Sequence, residues 1–328
     1  MIPKETLTKE LFSDILGHEQ LKHDIKSALL LGHHILIVGP PGVGKTTIAK
    51  NIAKVLGPIE LHDCPFHCDP KAPCPGCEIT KTKKMSGEER FVRIQGSPDL
   101  TVEDLIGDID PVKALQLGPL SMKAFTPGKI FKANNGVLFF DELNRCPEKL
   151  QNALLQVLSE GIATLGSYDV DIPAQFIFIA TMNPDDSSTE KLSDVLLDRF
   201  DVFQMGYPET LEIERDILKA KGQRLVEFPE RLLDGALEFI RMLRASEELA
   251  KKPSVRASLS LYERSQANAV LLGRDEVTSD DINRAIPSVL SHRITLKPSL
   301  RYTKDPIDFL KEELHQFRDR KRKKGDGL

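Results

Sequence analysis

The sequence predicts an α/β fold, an αβα core built on a parallel sheet, followed by a small all-α domain. Three observations predict it. Short apolar, β-branched runs at 34–38, 136–140 and 175–180 alternate with amphipathic helical stretches, as buried parallel strands joined by helices do. Each run stops at glycine or polar residues: Gly39-Pro40-Pro41-Gly42, Asp141-Glu142 and Thr181-Met182-Asn183. In such sheets ligands bind at the carboxyl ends of the strands, so these residues are the ones to read for chemistry. Beyond Phe203 only helical periodicity is readable.

The elements follow in order. Apolar side chains at helical spacing mark 19–30, and His34-Ile35-Leu36-Ile37-Val38 is the first strand. Residues 46–56 resume a helix that ends at Gly57-Pro58, a glycine cap followed by a breaker. Between the second and third strands, 148–158 places Leu150, Leu154, Leu155 and Leu158 on one side. Helices at 209–221, 230–243, 256–272 and 279–291 come next, the last with N-cap chemistry in Thr278-Ser279-Asp280-Asp281. The boundaries are a core over 1–204, a helical domain over 205–300 and a charged tail over 301–328, expected as a solvated end.

Composition bounds the function. The 328 residues admit two domains, and 40% hydrophobic with 29% charged residues excludes a collagen-like or wholly disordered chain. A net charge of −4 gives no whole-chain argument for nucleic acid, and the aromatic-plus-basic platform of single-strand binders is missing. No apolar run nears the roughly 20 residues that cross a bilayer. Met1-Ile2-Pro3-Lys4-Glu5 lacks a secretory layout, so a cytoplasmic protein is expected.

The strongest chemical signal is Gly39-Pro40-Pro41-Gly42-Val43-Gly44-Lys45-Thr46, with the strand before it and the helix after it that a phosphate loop needs. Glycines let successive N–H groups point at phosphates, at a positive helix N-terminus. These residues, with Thr47 beside them, are expected to bind ATP. Lys45 would bridge the β- and γ-phosphates, and the Thr46 hydroxyl would hold Mg²⁺. Asp141 emerges from a buried strand, where it can orient a metal-bound water, and Glu142 can polarise the attacking water. Asn183 can hold that water or touch the γ-phosphate. Arg199 and Arg256 can neutralise charge developing on the γ-phosphate.

Four of the five cysteines, Cys64, Cys68, Cys74 and Cys77, lie within fourteen positions among prolines and a glycine. Four thiolates suit a closed, structural Zn²⁺ site. An iron–sulfur cluster or free thiols are the other readings, and His62 and His67 are substitute ligands. Cys146 reads as a small buried thiol.

The order of these motifs resembles AAA+ ATPases, more narrowly the MoxR and magnesium-chelatase I-subunit branch. The resemblance is carried by Asp141-Glu142-Leu143-Asn144-Arg145, Leu150-Gln151-Asn152-Ala153-Leu154-Leu155, Leu197-Asp198-Arg199-Phe200 and Val255-Arg256-Ala257-Ser258. It runs from about residue 12 to 293. It implies Arg199 as an arginine finger acting on a neighbour's nucleotide, Asn183 as sensor 1, Arg256 as sensor 2 and 205–300 as the lid. It further implies a ring, commonly a hexamer, and a partner bearing a von Willebrand-type domain. An insert near 101–130 and a hairpin near 161–173 are expected to project toward partners. The activity implied is ATP-driven remodelling or activation of a partner protein, including help with metal-cofactor insertion. The alternative is the ATPase subunit of a chelatase that puts a metal into a tetrapyrrole; a nucleic-acid motor or loader is a third reading.

Overall fold

The computed structural model describes residues 7–8, 11–75, 77–118, 121–165, 168–184 and 191–323. Met1-Ile2-Pro3-Lys4-Glu5 and the last five residues of the basic tail lie outside them, as do Gly76 within the cysteine-rich stretch and Gly166 and Ser167 at the hairpin tip. The chain forms two compact units, parting after Met205, with Leu16–His18 and Pro40–Val43 counted in the second.

The strands of the first unit are β1 (His34–Val38), β2 (Ile59–His62), β3 (Thr82–Met85), β4 (Phe91–Gln95), β5 (Gly107–Ile109), β6 (Phe125–Pro127), β7 (Val137–Asp141), β8 (Ile162–Leu165), β9 (Val170–Pro173), β10 (Ile177–Met182) and β11 (Phe200–Gln204). Five of them make one parallel sheet in the order β11-β1-β10-β7-β4. Its central strands are buried because Leu36, Val38, Leu138, Phe140, Phe178 and Ala180 face one apolar cluster. Ile35, Ile37, Val137, Phe139 and Ile179, on the opposite face by the period of two, are also fully buried. A sheet covered on both faces leaves its carboxyl edge as the place for polar chemistry.

Three antiparallel hairpins decorate this sheet: β2 with β3, β5 with β6, and β8 with β9. The first carries the cysteines, between the helix Lys45–Val55 and β4. The second lies in the expected insert with the helices Val102–Ile106 and Pro111–Leu117, and the third is the hairpin expected near 161–173. Sequence periodicity misses β4 and β11. In β4 the residues Arg93 and Gln95 break the apolar run, since it is an edge strand with one polar face.

The second unit packs the helices Leu211–Lys221, Glu230–Ala245, Val255–Leu271, Ser279–Leu290 and Pro306–Lys323. It also contains a short antiparallel pair, β12 (Leu249–Lys251) with β13 (Thr295–Leu296), where only helices are expected from the sequence. The solvated tail over 301–328 is corrected. Pro306–Lys323 is an 18-residue helix whose Phe309, Leu310 and Phe317 enter the core beside Phe239, Leu243 and Leu290. Its many charges mask a narrow apolar stripe that is enough to dock it.

A buried ion pair stands apart from that apolar core. Glu214 is fully buried, and Arg244 grips both its oxygens at 2.7 Å while Ser258 Oγ donates to it at 2.6 Å. Arg244 also donates to the Pro253 carbonyl at 2.9 Å and covers the Tyr207 ring at 4.5 Å. The pair thereby joins three helices, the third of which carries Arg256 in its first turn.

Candidate functional site

The loop after β1 has the backbone a phosphate cradle needs. Gly42 and Gly44 take φ of +79° and +114°, a region that favours glycine. Gly39 donates to the Met182 carbonyl at 3.0 Å, and a side chain there would strike the Met205 carbonyl. Gly44 caps the helix Lys45–Val55, so Lys45, Thr46 and Thr47 form its first turn, at the positive end of the helix dipole. Lys45 Nζ donates to the Gly39 carbonyl, within the same loop. This cradle fits the β- and γ-phosphates of a nucleotide.

The carboxylates sit two strands away. Extending the β7–β10 register by one residue brings Thr181 alongside Asp141, and the two side chains meet: Thr181 Oγ1 donates to Asp141 Oδ1 at 2.7 Å. The same Oγ1 accepts the Glu142 N–H at 2.9 Å. Glu142 is held at φ +60°, a left-handed conformation that turns the chain sharply as it leaves the strand. Gly96 closes the turn from the other side, donating to the Asp141 carbonyl at 2.6 Å where no Cβ would fit. Glu142 Oε2 accepts from Gln95 Nε2 at 3.0 Å and lies 3.2 Å from Arg145 Nη1. Thr46 and Asp141 carry the oxygens that a Mg²⁺ ion takes, directly or through water. Asn183 follows β10, and its carbonyl accepts from Asn144 Nδ2 at 3.3 Å.

The two arginines are placed differently. Arg199 donates to Ser159 Oγ at 2.7 Å and to the Val195 carbonyl, at the far end of the helix Glu148–Glu160. It precedes β11, whose Phe200 pairs with His34 at the start of β1. The five residues of β1, at about 3.3 Å each, separate that edge from the phosphate loop by about 16 Å. Arg199 is therefore beyond reach of its own chain's loop. Arg256 belongs to the second unit together with Pro40–Val43, and its Cγ lies 2.8 Å from where a side chain on Gly42 would begin.

Sequence reasoning misses three participants in this network. Thr181 bridges Asp141 and Glu142, and only the β-strand period signals it, by placing it on Asp141's face. Arg93 and Gln95 reach the acids from β4, an element the periodicity does not reveal. Arg93 Nη2 lies 2.6 Å from Asp141 Oδ2.

The cysteines form a second centre, at the tip of the β2–β3 ribbon. The four sulfurs of Cys64, Cys68, Cys74 and Cys77 all lie within 4.8 Å of one another, and all five cysteines are free thiols. Cys64 and Cys68 sulfurs are 3.4 Å apart. Sulfurs about 2.3 Å from a shared tetrahedral ion stand about 3.8 Å apart, so the donor set fits zinc. Hydrogen bonds from Cys68 and Cys74 hold the Cys64 thiol far below its ordinary range. The bond to Cys64 in turn pushes Cys68 up to about 12 and Cys74 further up.

His67 turns away from the sulfurs and donates Nδ1 to the Lys132 carbonyl at 2.9 Å, while His62 Nδ1 stands 3.6 Å from Cys77 Sγ. Asn134 and Asn135 donate to the Phe66 and His67 carbonyls, at 3.0 and 3.1 Å, and Phe66 packs on Phe131. These contacts moor the knuckle to the core. Cys146 is fully buried.

A phosphate loop facing an acid pair across one intervening strand, at the edge of a parallel sheet, is the arrangement of a P-loop ATPase. Comparison with known proteins makes the class narrower. Residues 73–202 match the ATPase family associated with various cellular activities (AAA), 241–312 the AAA lid domain, and 11–65 magnesium chelatase, subunit ChlI. The magnesium-chelatase subunit ChlI homolog of Methanocaldococcus jannaschii is 30% identical, over 93% of this chain and 90% of that protein. The chloroplastic ChlI-2 subunit of Arabidopsis thaliana is 29% identical, over 88% and 76%. A solved assembly of the magnesium-chelatase subunits BchI and BchD has a chain of the same fold, at a TM-score of 0.51 and 23% identity, over 89% of this chain and 98% of that one. The chain belongs to the AAA+ ATPases of the magnesium-chelatase subunit I branch, and it is an ATP hydrolase.

Proposed function

We propose that this chain works as the ATP-driven subunit of a ring that acts on a partner protein, in the manner of a chelatase I subunit. In this reading residues 39–47 bind ATP, with Lys45 on the β- and γ-phosphates and Thr46 and Asp141 holding Mg²⁺. Glu142 draws a proton from the attacking water, and Asn183 and Arg256 complete the pocket. The magnesium ion would supply charge neutralisation on the phosphate oxygens. The observation that carries the reading is the Thr181 bridge, which ties the Asp141 carboxylate to the Glu142 main-chain N–H and so supports a fixed spacing of the two acids. Pre-positioned groups of this kind supply most of the catalysis in phosphoryl transfer.

Chelatase-type work is favoured over general remodelling because the ChlI relative matches over nine-tenths of both chains. A partner bearing a von Willebrand-type domain belongs to the same reading. So does ring assembly, which the distance of Arg199 from its own phosphate loop supports. No helix among the described residues is long and apolar enough to cross a membrane, and the unbridged thiols suit a reducing cytoplasm. The cysteine knuckle holds one structural Zn²⁺ through Cys64, Cys68, Cys74 and Cys77. The test is a magnesium-chelatase reaction that lacks its own ChlI subunit. Restored metal insertion supports the chelatase reading. Vigorous ATP hydrolysis without insertion, at any concentration of added chain, returns the protein to partner remodelling in general.

A further inference from the structure

We propose that Arg93 is a displaceable counter-ion of Asp141, competing with Mg²⁺ and setting the concentration at which the metal loads. This rests on the reading of Asp141 as the carboxylate on the metal side. Both of its oxygens are engaged, but by unlike partners. Thr181 Oγ1, fixed within the sheet and fully buried, donates to Oδ1 at 2.7 Å. Arg93 Nη2 lies 2.6 Å from Oδ2.

Thr181 alone orients the carboxylate, because it sits in register on the adjacent strand and also receives the Glu142 N–H. Arg93 is a long, half-exposed side chain from the edge strand, with 49% of its side chain open to solvent against 16% for Asp141. Its Nη2 also donates to Gln95 Oε1 at 3.2 Å, so a resting place remains when it leaves the carboxylate. A dication arriving beside Asp141 meets a guanidinium already there. Like charges a few ångströms apart repel, and the exposed, tethered one is the one that swings out.

An ion pair this exposed contributes up to about 1 kcal/mol, a factor of about five in an equilibrium constant. Removing the arginine charge therefore lowers the half-saturating Mg²⁺ concentration by up to about fivefold.

The experiment titrates Mg²⁺ into purified full-length protein with a fluorescent ATP analogue, reading bound nucleotide rather than turnover. Arg93→Gln should reach half-saturation at a lower Mg²⁺ concentration than wild type, down to about one fifth of it. Its nucleotide affinity in EDTA should be unchanged. Arg93→Lys, which keeps a tethered cation, should fall near the wild type. Asp141→Asn separates the two layers of the argument. If Mg²⁺ dependence is the same in Asp141→Asn as in wild type, the assignment of Asp141 to the metal fails. If Asp141→Asn weakens Mg²⁺ but Arg93→Gln leaves it unchanged or weaker, competition by Arg93 is overturned and the metal assignment stands.

Discussion

Arg199 offers the sharpest separation between action within one chain and action between chains. It stands at the amino end of β11, about 16 Å from the phosphate loop along the strand direction, held by Ser159 and the Val195 carbonyl. A guanidinium serving a γ-phosphate must come within a few ångströms of it, so in the proposed reading Arg199 serves a neighbour's nucleotide and not its own. Arg199→Ala should bind ATP like wild type and lose about 10³–10⁵ in hydrolysis rate, the range for an arginine finger. Lys45→Ala protein has the finger and lacks a working pocket. In an equal mixture, about a quarter of the interfaces pair an intact pocket with an intact finger, assuming random exchange around a closed ring. Activity should then recover to about a quarter of the wild-type rate, peaking near equal proportions. The assay is steady-state phosphate release across mixing ratios, with subunit exchange followed independently by fluorescence. Exchange without recovery at any ratio refutes the assignment, because a finger acting in its own chain leaves a defect in every pocket.

Three further outcomes are expected. Protein purified without added metal should contain about one zinc per chain by elemental analysis, and Cys74→Ser should lose it and melt earlier while nucleotide binding persists; iron with a visible chromophore would contradict this. Arg244→Met, which leaves the buried Glu214 carboxylate with only Ser258 and the more distant Arg241 at 3.5 Å, should cost up to about 3–5 kcal/mol in urea unfolding, whereas Arg244→Met with Glu214→Leu should cost markedly less; equal costs would remove the ion pair from its role. Burial pushes the Asp281 carboxyl up, but Arg274 and Thr278 outweigh it and hold it below its ordinary value. Its stabilisation is thus complete above the unfolded value of about 3.9 and lost as pH falls through the lower folded one, so Asp281→Asn should flatten the loss of stability below about pH 4.

The phosphate loop and the acid pair were legible in the sequence because both are local: consecutive residues bounded by an apolar strand. The parts that escaped are long-range or disguised. Thr181 reaches Asp141 only through strand register. Glu214 and Arg244 lie 30 positions apart and each reads as a surface charge until the helices pack. The helix Pro306–Lys323 hides Phe309, Leu310 and Phe317 among charges, and composition outweighed their spacing. The cysteine spacing pointed to a four-thiol cluster but not to its support. That is a ribbon whose second strand, Thr82-Lys83-Lys84-Met85, reads as loop because three of its four residues face solvent.

The central claim is that Glu142, set in place by Thr181, is the base of an ATP hydrolase. Its most direct test is one measurement on Glu142→Gln: the rate of hydrolysis of bound ATP in a single turnover, with the amount bound recorded in the same sample. The amide keeps the shape and removes the proton acceptor. The account predicts nucleotide binding within about twofold of wild type and a chemical step slowed by about 10²–10⁴. A Gln variant that hydrolyses its bound ATP at close to the wild-type rate would contradict it.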